Sequence, residues 1–219
     1  MPRFAAIIPA AGKSSRFGRN KLMEVLDGQS VLWRSVNAFA RRADVAGVFV
    51  AGAMIDATKV HCVPGGACRA ESVRMAAMAV PADVEWVAVH DAARPLVTSE
   101  LIDRVLTAAL EHGAAAPALP VALTIKQARG PLPARAERTV DRAQLWAMQT
   151  PQVMRRHDLL EAFSRCPIPL DQITDDLQLL ELAGRPVWLV PGDQRNIKIT
   201  QPIDLRFAQW ILESDTAGN

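Results

Sequence analysis

The polarity pattern of the chain alternates between short apolar runs and longer stretches in which apolar residues recur at helical spacing. Short apolar runs bounded by turn residues indicate buried strands, whereas the longer periodic stretches indicate amphipathic helices. The predicted strands are 4–8, 45–51, 60–63, 86–89, 115–120 and 187–190, and the predicted helices are 31–42, 71–79, 100–111, 157–164, 175–183 and 203–213. This alternation predicts an α/β protein with a mostly parallel sheet.

One segment, from Thr124 to Trp146, interrupts the alternation. It is polar, has no helical period and contains Gly130, Pro131 and Pro133 in close succession. A stretch of this length without a repeating pattern exceeds an ordinary connection between elements. The segment is therefore predicted to be either a flexible loop or a projecting arm of short strands.

The composition narrows the class of protein. Of 219 residues, 50% are hydrophobic and 22% are charged, which favours one folded domain over 1–219 rather than a disordered chain. The net charge of +2 is too small for a protein that binds nucleic acid through a broad basic surface. The apolar start of the chain is interrupted by Pro9 and Gly12, and no later run is long enough to cross a membrane, so we expect a cytoplasmic protein.

The first predicted strand leads into a loop at 9–22, PAAGKSSRFGRNKL, that combines small residues with positive charge. In an open α/β sheet, ligands bind beyond the carboxyl ends of the strands. Small residues such as Ala11 and Gly12 let backbone N–H groups approach a phosphate closely, while Arg16 and Lys21 supply charge. The loop therefore predicts a polyphosphate site, the alternative being an ordinary solvated turn.

Two familiar phosphate motifs do not fit this loop. A P-loop that ended in Gly12-Lys13-Ser14 would need its opening glycine at position 7, which is Ile7 inside the strand. The dinucleotide fingerprint also fails, because Gly12 and Gly18 are six positions apart with Ser14 between them. A P-loop kinase and a dinucleotide-binding enzyme are thus disfavoured.

The strand predicted at 86–89 ends in a charged sequence that contains His90, Asp91 and Arg94. An α/β enzyme places metal ligands and anion clamps at such strand ends. Magnesium takes one or two protein carboxylates and completes its shell with water and substrate phosphates, so Asp91 alone is sufficient as its ligand. The alternative is an ion pair between Asp91 and Arg94 that holds the turn.

Three further polar clusters are candidates for ligand contacts. Gly66 precedes a predicted helix that carries Ser72 on its first turns, an arrangement that can present amides and a hydroxyl to a ligand. Thr150 stands immediately before a proline, in a predicted extended turn. The sequence NIKIT at 196–200 predicts a short strand with Lys198 on one face.

Taken in this order, the motifs resemble those of the 2-C-methyl-D-erythritol 4-phosphate cytidylyltransferase family of the non-mevalonate isoprenoid pathway. The matching stretches are IIPAAG with Arg16 and Lys21, the glycine pair and R-x-x-S-V at 65–73, HDAARP at 90–95, TIK at 124–126, TVDR at 139–142, QTPQ at 149–152, ITDD at 173–176 and NIKIT at 196–200. They extend over essentially the whole chain. The first motif is shared with many nucleotidyltransferases, so the resemblance depends on the later ones.

The resemblance implies a Rossmann-like α/β fold, with helices on both faces of a mostly parallel sheet and a projecting β-arm used in dimerisation. It implies an enzyme that transfers CMP from CTP to the polyol phosphate and releases pyrophosphate, with Mg²⁺ or another divalent cation held by Asp91. The implied catalytic residues are Arg16, Lys21, Lys198 and Asp91. The implied nucleotide-binding residues are Pro9, Ala10, Ala11, Gly12, Gly66 and Ser72.

The resemblance also implies a polyol phosphate site made of Arg94, Thr124, Arg142 and Thr150, with Arg142 contributed by the partner in a homodimer. Two alternatives remain open at this point. A related transferase that uses another alditol phosphate, such as ribitol 5-phosphate, would have the same nucleotide half of the site. A non-catalytic nucleotide-binding module would bind CTP without turnover.

Overall fold

A computed structural model describes the backbone of residues 2–12 and 17–217 and the side chains of residues 2–12 and 17–214. Within these residues the chain forms twelve strands and six α-helices. The strands are β1 (Phe4–Pro9), β2 (Val25–Leu26), β3 (Gln29–Ser30), β4 (Val45–Ala51), β5 (Val60–Val63), β6 (Trp86–Val89), β7 (Ala114–Pro120), β8 (Ile125–Ala128), β9 (Ala136–Val140), β10 (Trp146–Met148), β11 (Gln152–Arg155) and β12 (Trp188–Pro191). The helices are α1 (Val31–Ala40), α2 (Arg69–Ala79), α3 (Ser99–His112), α4 (Arg156–Ser164), α5 (Asp176–Leu182) and α6 (Pro202–Ala217).

The main sheet of the described chain has eight strands in the order β10-β7-β11-β6-β1-β4-β5, with β12 also paired to β7. Strands β6, β1, β4 and β5 are parallel neighbours, and β12 is parallel to β7. Strand β11 runs antiparallel between β6 and β7, and β10 runs antiparallel to β7. The parallel strands end together, so the chain segments that follow β1, β4 and β6 meet at one edge of the sheet.

Helices cover both faces of the sheet, as the resemblance implied. Along β1, Phe4, Ala6 and Ile8 pack into the apolar cluster that contains α1, α3 and α6, while Ala5 and Ile7 pack into the cluster that contains α2, α4 and α5. This division follows from the pleat of a strand, which directs successive side chains to opposite faces. The α/β fold with a mostly parallel sheet is thereby confirmed.

The segment from Thr124 to Trp146 forms the arm of short strands, one of the two predicted alternatives. Strands β8 and β9 make an antiparallel hairpin with Ile125 opposite Val140, and the residues of the hairpin are mostly exposed. The arm begins after β7 and ends at β10, which returns to the main sheet.

One prediction of local structure was wrong, and strand β11 was not predicted. NIKIT at 196–200 is not a strand: it is an irregular segment whose Ile199 amide donates to the carbonyl of Ala93 at 2.8 Å. Strand β11 was missed because its four residues are polar at both ends, although its register places it between two buried strands. In both cases tertiary pairing decides the conformation, and local pattern does not.

No helix in the described part of the chain has the length and apolar character that crossing a membrane would require.

Candidate active site

A cavity of about 710 Å³ lies at the carboxyl edge of the sheet, beyond β1 and β6. It is bounded by the loop after β1, the start of α2, the turn after β6 and the irregular segment 196–200. Its lining includes these residues predicted from the sequence: Pro9, Ala10, Ala11, Gly12, Lys21, Gly66, Ser72, Asp91 and Lys198. Its volume is within the range of small-molecule sites.

The loop after β1 is packed tightly against two neighbouring glycines. Gly52 follows β4 with a φ of +90°, and a Cβ on it would lie 2.5 Å from the Cβ of Ala11. A Cβ on Gly65 would meet the same atom at 2.5 Å. The Ala11 backbone is therefore held in place by two positions that accept only glycine.

We expect Gly52→Ala to weaken CTP binding about tenfold, because relieving a clash of this kind costs about 1–3 kcal/mol and would displace Ala11. The matched control is Gly184→Ala: Gly184 has a φ of +70° but no neighbouring atom within 4 Å of its added Cβ. Both variants share the backbone strain, and only the first disturbs the loop. Calorimetric titration with CTP would check this, and equal affinities for the two variants would contradict it.

The opposite wall of the cavity is shaped by the first turn of α2. The Gly66 amide donates to Ser72 Oγ at 3.0 Å, and Ser72 Oγ donates to the Cys68 carbonyl at 3.0 Å. The Ala67 amide donates to Glu71 Oε2 at 2.7 Å. These bonds fix the turn at Gly66 and Ala67, so Ser72 helps to set the shape of this wall of the cavity.

Asp91, at the end of β6, is surrounded by three cations. Its Oδ2 lies 2.9 Å from Lys198 Nζ and 3.4 Å from Arg94 Nε, and its Oδ1 lies 3.2 Å from Arg69 Nε. Burial works against the carboxylate charge, but the charges of Arg69, Lys198 and Arg94 outweigh it and hold the pKa of Asp91 well below its usual range. Asp91 is therefore ionised at physiological pH.

Arg94 connects the strand end to two other segments. Its Nη1 donates to the Asn196 carbonyl at 2.8 Å and its Nη2 donates to the Met148 carbonyl at 3.3 Å, while Nε faces Asp91. Burial lowers the pKa of this guanidinium below its ordinary value. The ion pair weighed as an alternative does form, and the three contacts occupy three of the five N–H donors of the group.

A short hydrogen-bonded chain supports Asp91 from behind. The Asp91 amide donates to Thr150 Oγ1 at 3.0 Å, and this hydroxyl lies 3.0 Å from His90 Nδ1. His90 Nε2 lies 3.0 Å from the Arg94 carbonyl, which can only accept, so Nε2 carries the proton and Nδ1 accepts from Thr150. Burial lowers the pKa of His90 to about 4, which is consistent with a neutral ring.

Lys21 reaches the cavity from a short 3₁₀ turn, Lys21–Met23. Asn20 begins the turn by accepting the Leu22 amide on its side chain at 3.2 Å, and Leu22 is buried. The buried Leu22 thus anchors the turn and holds the neighbouring Lys21 at the cavity. Arg16 lies outside the described residues.

The two predicted substrate residues on the arm, Thr124 and Arg142, do not line the cavity of the described chain. Both are exposed near the base of the arm, where Arg142 Nη1 donates to the carbonyl of Ala122. Arg94 and Thr150 lie behind Asp91, buried, rather than in the lining.

Sequence reasoning missed Arg69 and Asp176 as parts of the site. Arg69, the first residue of α2, lines the cavity and contacts both Asp91 and the buried Asp176. Each belongs to a quoted motif, R-x-x-S-V at 69–73 and ITDD at 173–176, yet neither was given a role. An acidic residue on the first turn of a helix, such as Asp176, is common because it favours the helix dipole. The surrounding sequence therefore does not indicate that Asp176 pairs with Arg69.

The comparisons with known proteins agree with one another. A family model described as 2-C-methyl-D-erythritol 4-phosphate cytidylyltransferase matches residues 4–214. Proteins with that name from Frankia casuarinae and Rhodopirellula baltica are 41% and 39% identical to this chain, covering 96% and 95% of it and 82% and 94% of their own lengths. A relative from Anaeromyxobacter dehalogenans named bifunctional enzyme IspD/IspF is 40% identical over 98% of this chain, which spans 58% of that longer protein.

Solved structures give the same result. The chain superposes on the 2-C-methyl-D-erythritol 4-phosphate cytidylyltransferase of Thermus thermophilus with a TM-score of 0.81 at 34% identity, covering 96% of this chain and 99% of the other. For the enzyme of Francisella tularensis the TM-score is 0.85 at 29% identity, with coverages of 95% and 99%. With a basic, glycine-walled cavity at the sheet edge, the chain therefore belongs to the family of cytidylyltransferases that transfer CMP from CTP to 2-C-methyl-D-erythritol 4-phosphate.

Proposed function

We propose that the cavity at the sheet edge holds CTP with its base toward Gly66 and Ser72 and its triphosphate toward Lys21, Lys198 and Asp91. The observation that carries this proposal is the 2.9 Å contact between Lys198 and Asp91, which brings a cation and a carboxylate from distant segments into one cavity. Small residues at Pro9, Ala10, Ala11 and Gly12 form the wall along which the phosphates would lie. Arg16 belongs to the same proposal as a further cation.

The reaction needs two anions in contact. A phosphate oxygen of the polyol phosphate attacks the α-phosphorus of CTP, a new P–O bond forms, and the bond to pyrophosphate breaks, so negative charge collects around the α-phosphate. Positively charged groups held in advance stabilise that charge without reorganisation. Lys21 and Lys198 serve this purpose, and no covalent nucleophile is required.

Asp91 fits a magnesium site. It is an ionised carboxylate at a strand end in the cavity, and a single carboxylate suffices when substrate phosphates and water supply the other oxygen ligands. A magnesium ion bound there would neutralise part of the phosphate charge. Lys198 Nζ contacts Oδ2 of Asp91. Its side chain is 40% exposed, so it has room to turn toward the phosphate.

The polyol phosphate would bind beside Asp91, at the residues Arg94, Thr124, Arg142 and Thr150. Arg94 and Thr150 are adjacent to Asp91 in the structure, but Thr124 and Arg142 sit near the base of the arm. The exposed arm supports a homodimer in which Arg142 of each chain completes the site of the other. A two-stranded hairpin is marginally stable in water unless it packs against something.

A complementation experiment tests this arrangement. Lys198→Met and Arg142→Met would each be nearly inactive alone. When they are co-expressed and pair at random, half of the dimers are mixed and each mixed dimer has one intact site, so about a quarter of wild-type activity should return. Pyrophosphate release from CTP and methylerythritol phosphate is the measurement. If Arg142 serves its own chain, every site carries one defect and no activity returns.

The proposal includes a cytoplasmic location, because a biosynthetic reaction that consumes CTP depends on the nucleotide pool of that compartment.

A further inference from the structure

Arg69 joins two carboxylates at the back of the cavity. Its Nε contacts Asp91 Oδ1 at 3.2 Å and its Nη2 donates to Asp176 Oδ2 at 2.8 Å. We infer that Arg69, held by Asp176, is a positioning residue that sets the orientation of the Asp91 carboxylate for metal binding. The inference rests on the proposed role of Asp91 as the magnesium ligand.

The contacts of Asp91 show what Arg69 fixes. The cations Lys198 and Arg94 both lie on Oδ2, while Arg69 alone among the described ion pairs lies on Oδ1. Without that contact, no cation holds Oδ1, and the carboxylate plane can tilt about the contacts of Oδ2 with Lys198 and Arg94. Arg69 therefore limits the tilt of the carboxylate that the other two cations permit.

Asp176 in turn immobilises Arg69. It is completely buried at the first position of α5, and its Oδ1 has no hydrogen-bond partner in the described structure. Burial raises the pKa of Asp176, whereas the charge of Arg69 opposes that rise. An incompletely satisfied carboxyl group inside a protein is unfavourable, so its retention calls for a compensating task. Anchoring the second branch of the Arg69 guanidinium is such a task.

The start of α5 is itself fixed to the sheet. The side-chain oxygen of Gln152, on β11, accepts the amides of Asp176 at 2.9 Å and Leu177 at 3.1 Å. The nitrogen of the same side chain donates to Asp175 at 3.0 Å. A continuous set of contacts thus runs from β11 through Asp176 and Arg69 to Asp91.

A guanidinium is needed for this geometry. Its planar fork reaches two carboxylates at once, whereas the single nitrogen of a lysine is a point charge. Arg69→Lys would keep the positive charge and lose one of the two contacts. Outer-shell partners of metal ligands typically change metal affinity 10- to 100-fold when mutated.

The test is a calorimetric titration of CTP at a series of Mg²⁺ concentrations, without acceptor, which needs no turnover. Arg69→Lys should raise the Mg²⁺ concentration for half-maximal tightening of CTP binding about tenfold, and should leave CTP affinity in EDTA within about threefold of wild type. Asp176→Asn, which preserves volume, should shift the Mg²⁺ dependence in the same direction. The double variant should be no worse than Arg69→Lys alone, because the two residues act through one contact.

Arg42→Lys is the matched control. Arg42 also bridges two carboxylates, Asp44 at 2.7 Å and Asp103 at 2.6 Å, but it lies beside the amino end of β1, where the Phe4 amide donates to the Asp44 carbonyl. This variant should lower the melting temperature without changing the Mg²⁺ dependence. An unchanged Mg²⁺ dependence in both Arg69→Lys and Asp176→Asn would overturn the inference.

Asp91→Asn separates the inference from the proposal beneath it. If Asp91→Asn also leaves the Mg²⁺ dependence unchanged, the proposed metal ligand is wrong. If Asp91→Asn abolishes the effect of Mg²⁺ while Arg69→Lys has none, only the positioning role fails. Should Arg69→Lys be too unstable to titrate, the isosteric Asp176→Asn decides the question by itself.

Discussion

Replacing Lys198 with methionine should lower kcat by about 100- to 1,000-fold and change the Kd of CTP by less than about threefold. Methionine keeps a long apolar stem and removes the charge that lies 2.9 Å from Asp91 in the cavity. The transition state carries more negative charge around the α-phosphate than bound CTP does, so a cation placed there contributes mainly to the rate. In this variant, CTP bound at the proposed site still has Lys21 and the wall of small residues at 9–12 to bind to.

Pyrophosphate release under saturating substrates would measure kcat, and calorimetry would measure the affinity for CTP. Lys59→Met is the control: it removes the charge of another lysine, which donates to the Arg42 carbonyl far from the cavity. That variant should behave as wild type. An equal loss of rate and affinity in Lys198→Met would show that Lys198 binds ground state and transition state alike.

Replacing Arg94 with methionine should lower the free energy of unfolding by about 3 kcal/mol, because the variant loses a buried ion pair and two buried hydrogen bonds to main-chain carbonyls. Arg94 is buried and connects three separate parts of the chain: Asp91 after β6, Met148 at the end of β10, and Asn196. Its loss removes a donor from the Met148 carbonyl and leaves the Asn196 carbonyl with the Gln149 side-chain amide at 3.3 Å. Asp91 keeps its contacts with Lys198 and Arg69, so the loss of stability comes from the bonds that Arg94 makes and not from an unpaired carboxylate.

Urea denaturation would measure this loss. Arg165→Met is the control, because Arg165 pairs with Glu161 at 2.9 Å on the surface, with a side chain that is 74% exposed. Exposed pairs of this kind add little to stability, so its unfolding midpoint should barely move. A loss below about 1 kcal/mol for Arg94→Met would contradict the bridging role of the buried arginine.

The sequence predicted best those parts of the fold that local pattern determines. Strands 45–51, 60–63 and 86–89 are observed with the predicted bounds. The first and third are mostly buried apolar runs, as expected for central strands of a parallel sheet, and 60–63 is a half-buried edge strand rich in valine. Strand β11 and the segment 196–200 were misjudged. Each depends on what the chain meets elsewhere, the first on two flanking strands and the second on one bond to Ala93.

The residues of the candidate site likewise fall into those that local sequence predicted and those that it did not. Lys21, Asp91 and Lys198 were predicted as a group, and the structure brings all three to one cavity. The link between Arg69 and Asp176 was invisible because a charged residue on a first helical turn is common at any surface. Pairing between such distant positions is a property of the folded chain, and local spacing contains no trace of it.

The base of the arm has a consequence for how this fold tolerates change. Pro120 on β7 and Trp146 on β10 are direct partners across antiparallel strands, so the chain leaves the main sheet and rejoins it at one point. An excursion closed by its own stem can lengthen, shorten or change sequence without shifting the registers of β7, β11 and β6, the last of which ends at Asp91. The length and sequence of the arm can therefore change without moving Asp91, provided that Thr124 and Arg142, the arm residues proposed to bind the polyol phosphate, are kept.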